Sequence, residues 1–122
     1  MDTRDIIDCL DFTLLDHDAS VDELVSFCSQ ANSVNPAAVC VFSEHLEIVR
    51  KHLNEGIALA VVAGGFPVGS SSPEEIEIAV RTAVESGADE VDVVLEPRDS
   101  KEFPDENDLK KLIAMREAAG KA

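Results

Sequence analysis

Basic residues are scarce in this 122-residue chain: 10 Lys and Arg stand against 25 Asp and Glu, a formal net charge of -15. A surface this acidic repels phosphate backbones and anionic lipid headgroups, which argues against general nucleic-acid binding and attachment to a charged membrane. Long apolar runs are lacking too, and none approaches the roughly 20 residues that cross a bilayer. The opening residues, Met1-Asp2-Thr3-Arg4-Asp5, lack the basic start and apolar stretch of a secretory signal. Cysteines number three, Cys9, Cys28 and Cys40, too few and too widely spaced for a disulfide framework or a zinc site. Reduced thiols in a cytoplasmic protein, with no metal, are the expectation. With 6 Gly and 5 Pro the chain also lacks the composition of a collagen-like or low-complexity protein. What is present, 45% hydrophobic and 29% charged residues, suits one globular domain over residues 1–122.

The apolar pattern switches between two periods. Short runs rich in β-branched residues predict strands at Leu10–Leu14, Ala37–Phe42, Ile57–Ala63 and Glu90–Leu95. Between and after them lie helical spacings: Val21, Leu24, Val25, Cys28 and Ala31, then Leu46, Val49 and Leu53, then Ile76, Val80, Ala83 and Val84. A fourth set, Leu109, Leu112 and Ile113 with Arg116 at its edge, predicts the inward face of a last helix. A short helix is expected over Thr3–Asp8. Ser20 with Glu23, and Ser72 with Glu75, have capping-box spacing, and Pro73 suits a first helical position. Ser43 and Asp105 are expected N-caps for the other two helices, and Gly56 and Gly87 suit left-handed turns after helices.

The order is therefore βαβαβαβα with roughly 30 residues per unit, which predicts an α/β fold with parallel strands and right-handed crossovers. Four units are too few for an open doubly wound sheet, which usually has five or six strands. They are half of a closed (β/α)8 barrel, which takes roughly 250 residues.

Asp92 is the most unusual residue, a carboxylate inside an apolar strand, where burial without a partner costs several kcal/mol. It is a candidate for function or for a hydrogen-bonded structural role. Asp11 sits similarly in the first strand and, taken alone, reads as a strand-end carboxylate paired with a Lys or Arg; jointly with Asp92, two inward carboxylates in different environments suit acid–base work. Cys40, between Val39 and Val41, reads as a small core thiol. His17, His45 and His52 have polar neighbours and are expected at the surface. The loop Gly64-Gly65-Phe66-Pro67-Val68-Gly69-Ser70-Ser71-Ser72 reads as structural or substrate-lining; Glu74, Glu75 and Glu77 oppose an anion at the helix start that follows. Lys51, Lys101, Lys110, Lys111 and Lys121 all fall in predicted helices, a loop or the tail. None lies inside a strand, where burial would favour the neutral amine that forms an imine.

Four segments together carry a resemblance. Leu10-Asp11-Phe12-Thr13-Leu14-Leu15 resembles the first strand of the deoxyribose-phosphate aldolase family, with Phe12 where the family usually has His. Ala37-Ala38-Val39-Cys40-Val41 resembles its second strand, Gly65-Phe66-Pro67-Val68-Gly69 the loop after its third, and Gly87-Ala88-Asp89-Glu90-Val91-Asp92-Val93-Val94 its fourth. The resemblance implies half of a TIM (β/α)8 barrel. The exposed edges and uncovered inner face of such a half are association surfaces, so completion by a homodimer or a complementary half-barrel is expected. The resemblance also implies a class I aldolase that reversibly cleaves 2-deoxyribose 5-phosphate to acetaldehyde and glyceraldehyde 3-phosphate, with no cofactor. Asp92 then matches the proton-relay aspartate, Asp11 a supporting catalytic carboxylate and Cys40 a substrate-pocket cysteine. The ligand expected is a small phosphosugar or aldehyde. The family's Schiff-base lysine belongs to a sixth strand, beyond these four units, which implies a chain inactive alone. A non-enzymatic small-molecule-binding or scaffold half-barrel remains the alternative, and a receiver-type open sheet is a third reading.

Overall fold

A computed structural model describes residues 1–69, 71–96 and 104–122; Ser70 of the serine turn and Lys101 lie outside the described residues. The elements are α1 (Thr3–Ile7), β1 (Asp11–Leu14), α2 (Val21–Val34), β2 (Ala38–Phe42), a 3-10 turn (Ser43–His45) leading into α3 (Leu46–His52), β3 (Ala58–Ala63), α4 (Pro73–Glu85), β4 (Glu90–Val93) and α5 (Glu106–Ala119). All four anticipated strands form, each slightly shorter than its apolar run.

The strands are parallel and lie in the order β1-β2-β3-β4. An open doubly wound sheet reverses its strand order and carries helices on both faces. Here strand order follows chain order. The residues of β2 and β3 that meet α2 and α3, namely Val39, Val41, Leu59 and Val61, share one face, and Val91 of β4 continues it. One covered face and no reversal is barrel geometry, which removes the receiver-type reading. The fold is the four-stranded side of a (β/α)8 barrel.

That covered face is the core. Leu24, Phe27, Cys28 and Ala31 of α2 and Leu46 and Val49 of α3 close over it. Leu59 is fully buried there and contributes about 1.5–3 kcal/mol by leaving water. A second cluster joins Ile76 and Val80 of α4 to Met115 of α5, beneath Val91. The helix starts follow their chemistry. Ser20, Ser72 and Asp105 each form a reciprocal capping box with the residue three positions on, and Asp2 does the same for α1. Ser43 departs from expectation: it opens the 3-10 turn, and α3 begins only at Leu46.

The motif around β4 has a physical reading residue by residue. Gly87 adopts φ 105 after α4, and the Ala88 N–H reaches back to the Ala83 carbonyl, a Schellman-type close. The Asp89 carboxylate accepts from the Leu59 N–H at 2.9 Å and from Arg50 at 3.0 Å. Burial opposes its ionisation, but those two donors outweigh burial and hold the carboxyl below the usual range. β4 is thereby tied to β3 and α3 before its ladder begins.

The largest departure is α5. The spacing predicts Leu109, Leu112 and Ile113 inward, yet they are 49%, 41% and 58% exposed, while Asp108, Lys111 and Met115 are buried. The capping box explains the rotation: Asp108 must face the Asp105 N–H, and residues three and seven positions on share its side of the helix. Of the displaced apolar residues, Leu112 lines a groove beside β4 with Val80, Val91, Val93 and Met115, and among the described residues β4 has no strand partner beyond β3. We predict that Ile113→Lys changes stability by less than about 0.5 kcal/mol, whereas Met115→Ala costs about 2–5 kcal/mol. Urea unfolding of the two variants checks this, and the opposite order would mean α5 packs by the face the spacing suggests.

Candidate functional site

Strand alternation sends the other side chains to the concave face that would be a barrel's interior. Register arranges them in rows. Thr13, Cys40, Ala60 and Glu90 form one, and Phe42, Val62 and Asp92 form the next, nearer the C-terminal ends of the strands. Functional groups of (β/α)8 barrels sit at that end. The middle of this face is buried, with Cys40 only 4% exposed; Leu15 and Phe66 pack against Cys40, Phe42, Ala60 and Val62. The margins are open. Asp11, Thr13, Glu90 and Asp92 are exposed, so Asp92 is not the buried charge that its apolar flanks suggest. Its flanking valines lie on the outer face.

Two of the three candidates from sequence meet directly. The Cys40 thiol donates to Asp92 Oδ2 at 3.6 Å. The two residues stand on strands separated by β3, roughly 9–10 Å apart at the usual strand spacing. The contact is made across Ala60, whose methyl leaves the space above β3 open. Asp11 acts through its field from the far side of Cys40. Burial, then the charge and hydrogen bond of Asp92, then the charges of Asp11 and Glu90 push the Cys40 thiol up to about 12. Burial and the charges of Asp11, Asp92 and Asp89 likewise raise Glu90. The concave face thus has a negative field and a thiol that stays protonated at neutral pH. Cys40 is a hydrogen-bond donor there, not a nucleophile. A carboxylate held by a neutral donor and open to ligand is equipped to take or relay a proton.

Three features escaped the sequence. Glu90 stands two positions from Asp92, and period-two alternation alone puts both on one face. His17 stacks on Phe42 with ring centroids 3.6 Å apart, and its Nδ1 lies 2.5 Å from Glu44 Oε1. That bond is the main cause holding the Glu44 carboxyl below its usual range, with burial opposing it. His17 and Glu44 edge a cleft of roughly 500 Å³ that passes over Phe42, Val62 and Gly64–Phe66 toward α4. The glycine loop therefore lines a cavity. His45, expected at the surface, is buried, with Nε2 2.9 Å from the Asp16 carbonyl. Among the described residues no strand carries lysine or arginine. Lys51 and Lys110 pair with Glu47 and Glu106 on helix surfaces.

The raised thiol has a signed consequence. A folded-state value near 12 against the ordinary 9.0 means that Cys40 contributes stability fully present below pH 9 and lost as pH rises toward 12. Asp92→Asn removes an anionic acceptor and should move the thiol's titration down, with burial still holding it above 9.0. Thiolate absorbance against pH checks this; an unchanged midpoint would mean that Asp92 does not act on Cys40.

No protein-family model matches the chain. Individual relatives do. A deoxyribose-phosphate aldolase of Finegoldia magna is 34% identical over 109 residues, covering 89% of this chain and 51% of the relative. One of Corynebacterium glutamicum is 37% identical over 109 residues, covering 89% and 49%. Among solved structures, a Coccidioides immitis protein described as a deoxyribose-phosphate aldolase superposes with TM-score 0.86 at 22% identity, over 100% of this chain and 48% of its own. The tetrameric deoxyribose-phosphate aldolase of Aeropyrum pernix gives TM-score 0.72 at 20% identity, over 95% and 50%. The chain spans about half the length of the curated relatives it matches. By sequence and by fold, it is a relative of deoxyribose-phosphate aldolase that corresponds to about half of that enzyme.

Proposed function

We propose that this chain supplies the proton-handling half of an aldolase-type site and requires a complementary segment for the covalent half. The observation that carries this reading is the Cys40–Asp92 contact on the concave face, in the rows approaching the C-terminal strand ends. The reaction proposed is that of the relatives' name, cleavage of a small deoxy-phosphosugar to two aldehydes. A lysine amine of the complementary segment would form the imine. Asp92, through water, would take the substrate hydroxyl proton as the carbon–carbon bond breaks and its electrons pass to the iminium. Asp11 supports the field, and Cys40 orients Asp92. No amine is placed on the concave side of the described strands, so aldol cleavage by this chain alone is expected to be negligible.

Completion needs the open β4 edge and the groove beside Leu112 to be covered. A second copy would close eight strands with two-fold symmetry. It would also bring two sets of Asp11, Glu90 and Asp92 into one interior, where like charges repel. A complementary half-barrel with inward cationic groups avoids that cost and is the partner we favour. The second reading, a non-enzymatic small-molecule-binding half-barrel, draws support from the cleft beside His17. The three free thiols suit a cytoplasmic setting, and no described helix is long and apolar enough to cross a membrane.

Coexpression with a lysine-bearing C-terminal half-barrel, followed by retro-aldol assay, separates the two readings. The expected result is activity only in the complex, falling roughly 10²–10⁴-fold in Asp92→Asn. Binding without activity would favour the non-enzymatic reading. Borohydride trapping with acetaldehyde on this chain alone should leave every lysine unmodified; a specific adduct on one of them would overturn the proposed division of labour.

A further inference from the structure

The polar side of α5 faces inward, and Lys111 is its unusual member: 3% exposed, with Nζ donating to the Gly69 carbonyl at 3.2 Å. An ammonium is expensive to bury without partners, so losing the Gly69 carbonyl would leave it costly to keep inside. Gly69 ends the turn that begins at Gly65, where the N–H groups of Val68 and Gly69 both donate to the Gly65 carbonyl. Gly69 has φ 74, and a Cβ on it would lie 2.5 Å from the Leu95 carbonyl. The loop is therefore clamped from two directions, against the exit of β4 and by Lys111. Inside the clamped turn stands Phe66, which packs on the Cys40–Phe42–Ala60–Val62 floor and meets Phe42 edge-on with centroids 6.4 Å apart.

We propose that Lys111 is a positioning residue that latches the Gly65–Gly69 turn down, so that Phe66 stays over the floor of the candidate site that includes Cys40. The latch holds the part of the cover that Phe66 supplies, beside Leu15, over the Cys40 floor on a face whose margins are open to water. It also makes α5, on the outside of the sheet, a determinant of access to the inside. The proposal rests on geometry alone and stands whether or not the site performs aldol chemistry.

The three cysteines provide the readout. Cys9 is exposed, Cys28 is buried in the separate helix-facing core, and Cys40 belongs to the floor on which Phe66 and Leu15 pack. Iodoacetamide alkylation of the folded chain, followed peptide by peptide by mass spectrometry, reports each thiol. In Lys111→Met, Cys40 should react about tenfold faster or more, with Cys28 unchanged, because thiol reactivity follows exposure and ionisation. The pH midpoint of Cys40 alkylation should fall toward 9.0, since burial is the chief cause of its elevation. Lys111→Arg, which keeps a cationic donor, should restore protection. Gly69→Ala pushes the loop off Leu95 and should release Cys40 in the same selective way, which carries the test if Lys111→Met does not fold. Cys40 reacting at the parent rate in the folded variants, or Cys28 rising in step with Cys40, would overturn the proposal.

Discussion

The structure depends on one seam: Val39, Val41, Leu59 and Val61 packed beneath α2 and α3. A parallel sheet joined by right-handed crossovers places successive helices on one side when strand order follows chain order. Burial of that side pays the entropy of ordering the four units. The other side is left with small and polar residues at its margins. Everything of functional interest follows from that asymmetry, because only an uncovered face can hold Asp11, Glu90 and Asp92 without deep desolvation of all three.

The carboxylates on that face share a field that none creates alone. Added to burial, which is the larger cause, that field raises the Glu90 carboxyl and, most strongly, the Cys40 thiol. The neutral thiol in turn gives Asp92 a hydrogen-bond donor at little electrostatic expense. Ala60 makes that contact possible by its size, so an unremarkable core alanine is part of the site's geometry. The glycine loop packs on the same floor through Phe66, and its end at Gly69 lies against Leu95 and accepts from Lys111.

Strand and helix positions were legible because they rest on local rules. Ser20, Ser72 and Asp105 each cap a helix with the acidic residue three positions on, and the apolar runs form strands whether buried, as β2 and β3, or marginal, as β1 and β4. Asp11 and Asp92 stand out as carboxylates in strands, whereas Cys40 is marked only by the family resemblance. The mutual arrangement of the three was not legible, since it requires the register of β2, β3 and β4 and the width of Ala60 between them. α5 was misread for a related reason. Its apolar spacing points one way, but the Asp105–Asp108 capping box and the burial of Lys111 turn the helix the other way. His45 was misplaced because its polar sequence neighbours conceal the Asp16 carbonyl that receives it.

The sequence by itself determined the α/β order, the parallel sheet, the capping boxes of Ser20, Ser72 and Asp105 and the acidic character, because periodicity, capping chemistry and charge act over a few residues at a time. Only the tertiary structure decided which face stays open, that Cys40 meets Asp92 across Ala60, and that Lys111 is buried beneath the glycine loop. Those facts depend on strand register and helix rotation, which bring together groups as far apart in the chain as 40 and 92, and no local pattern encodes them.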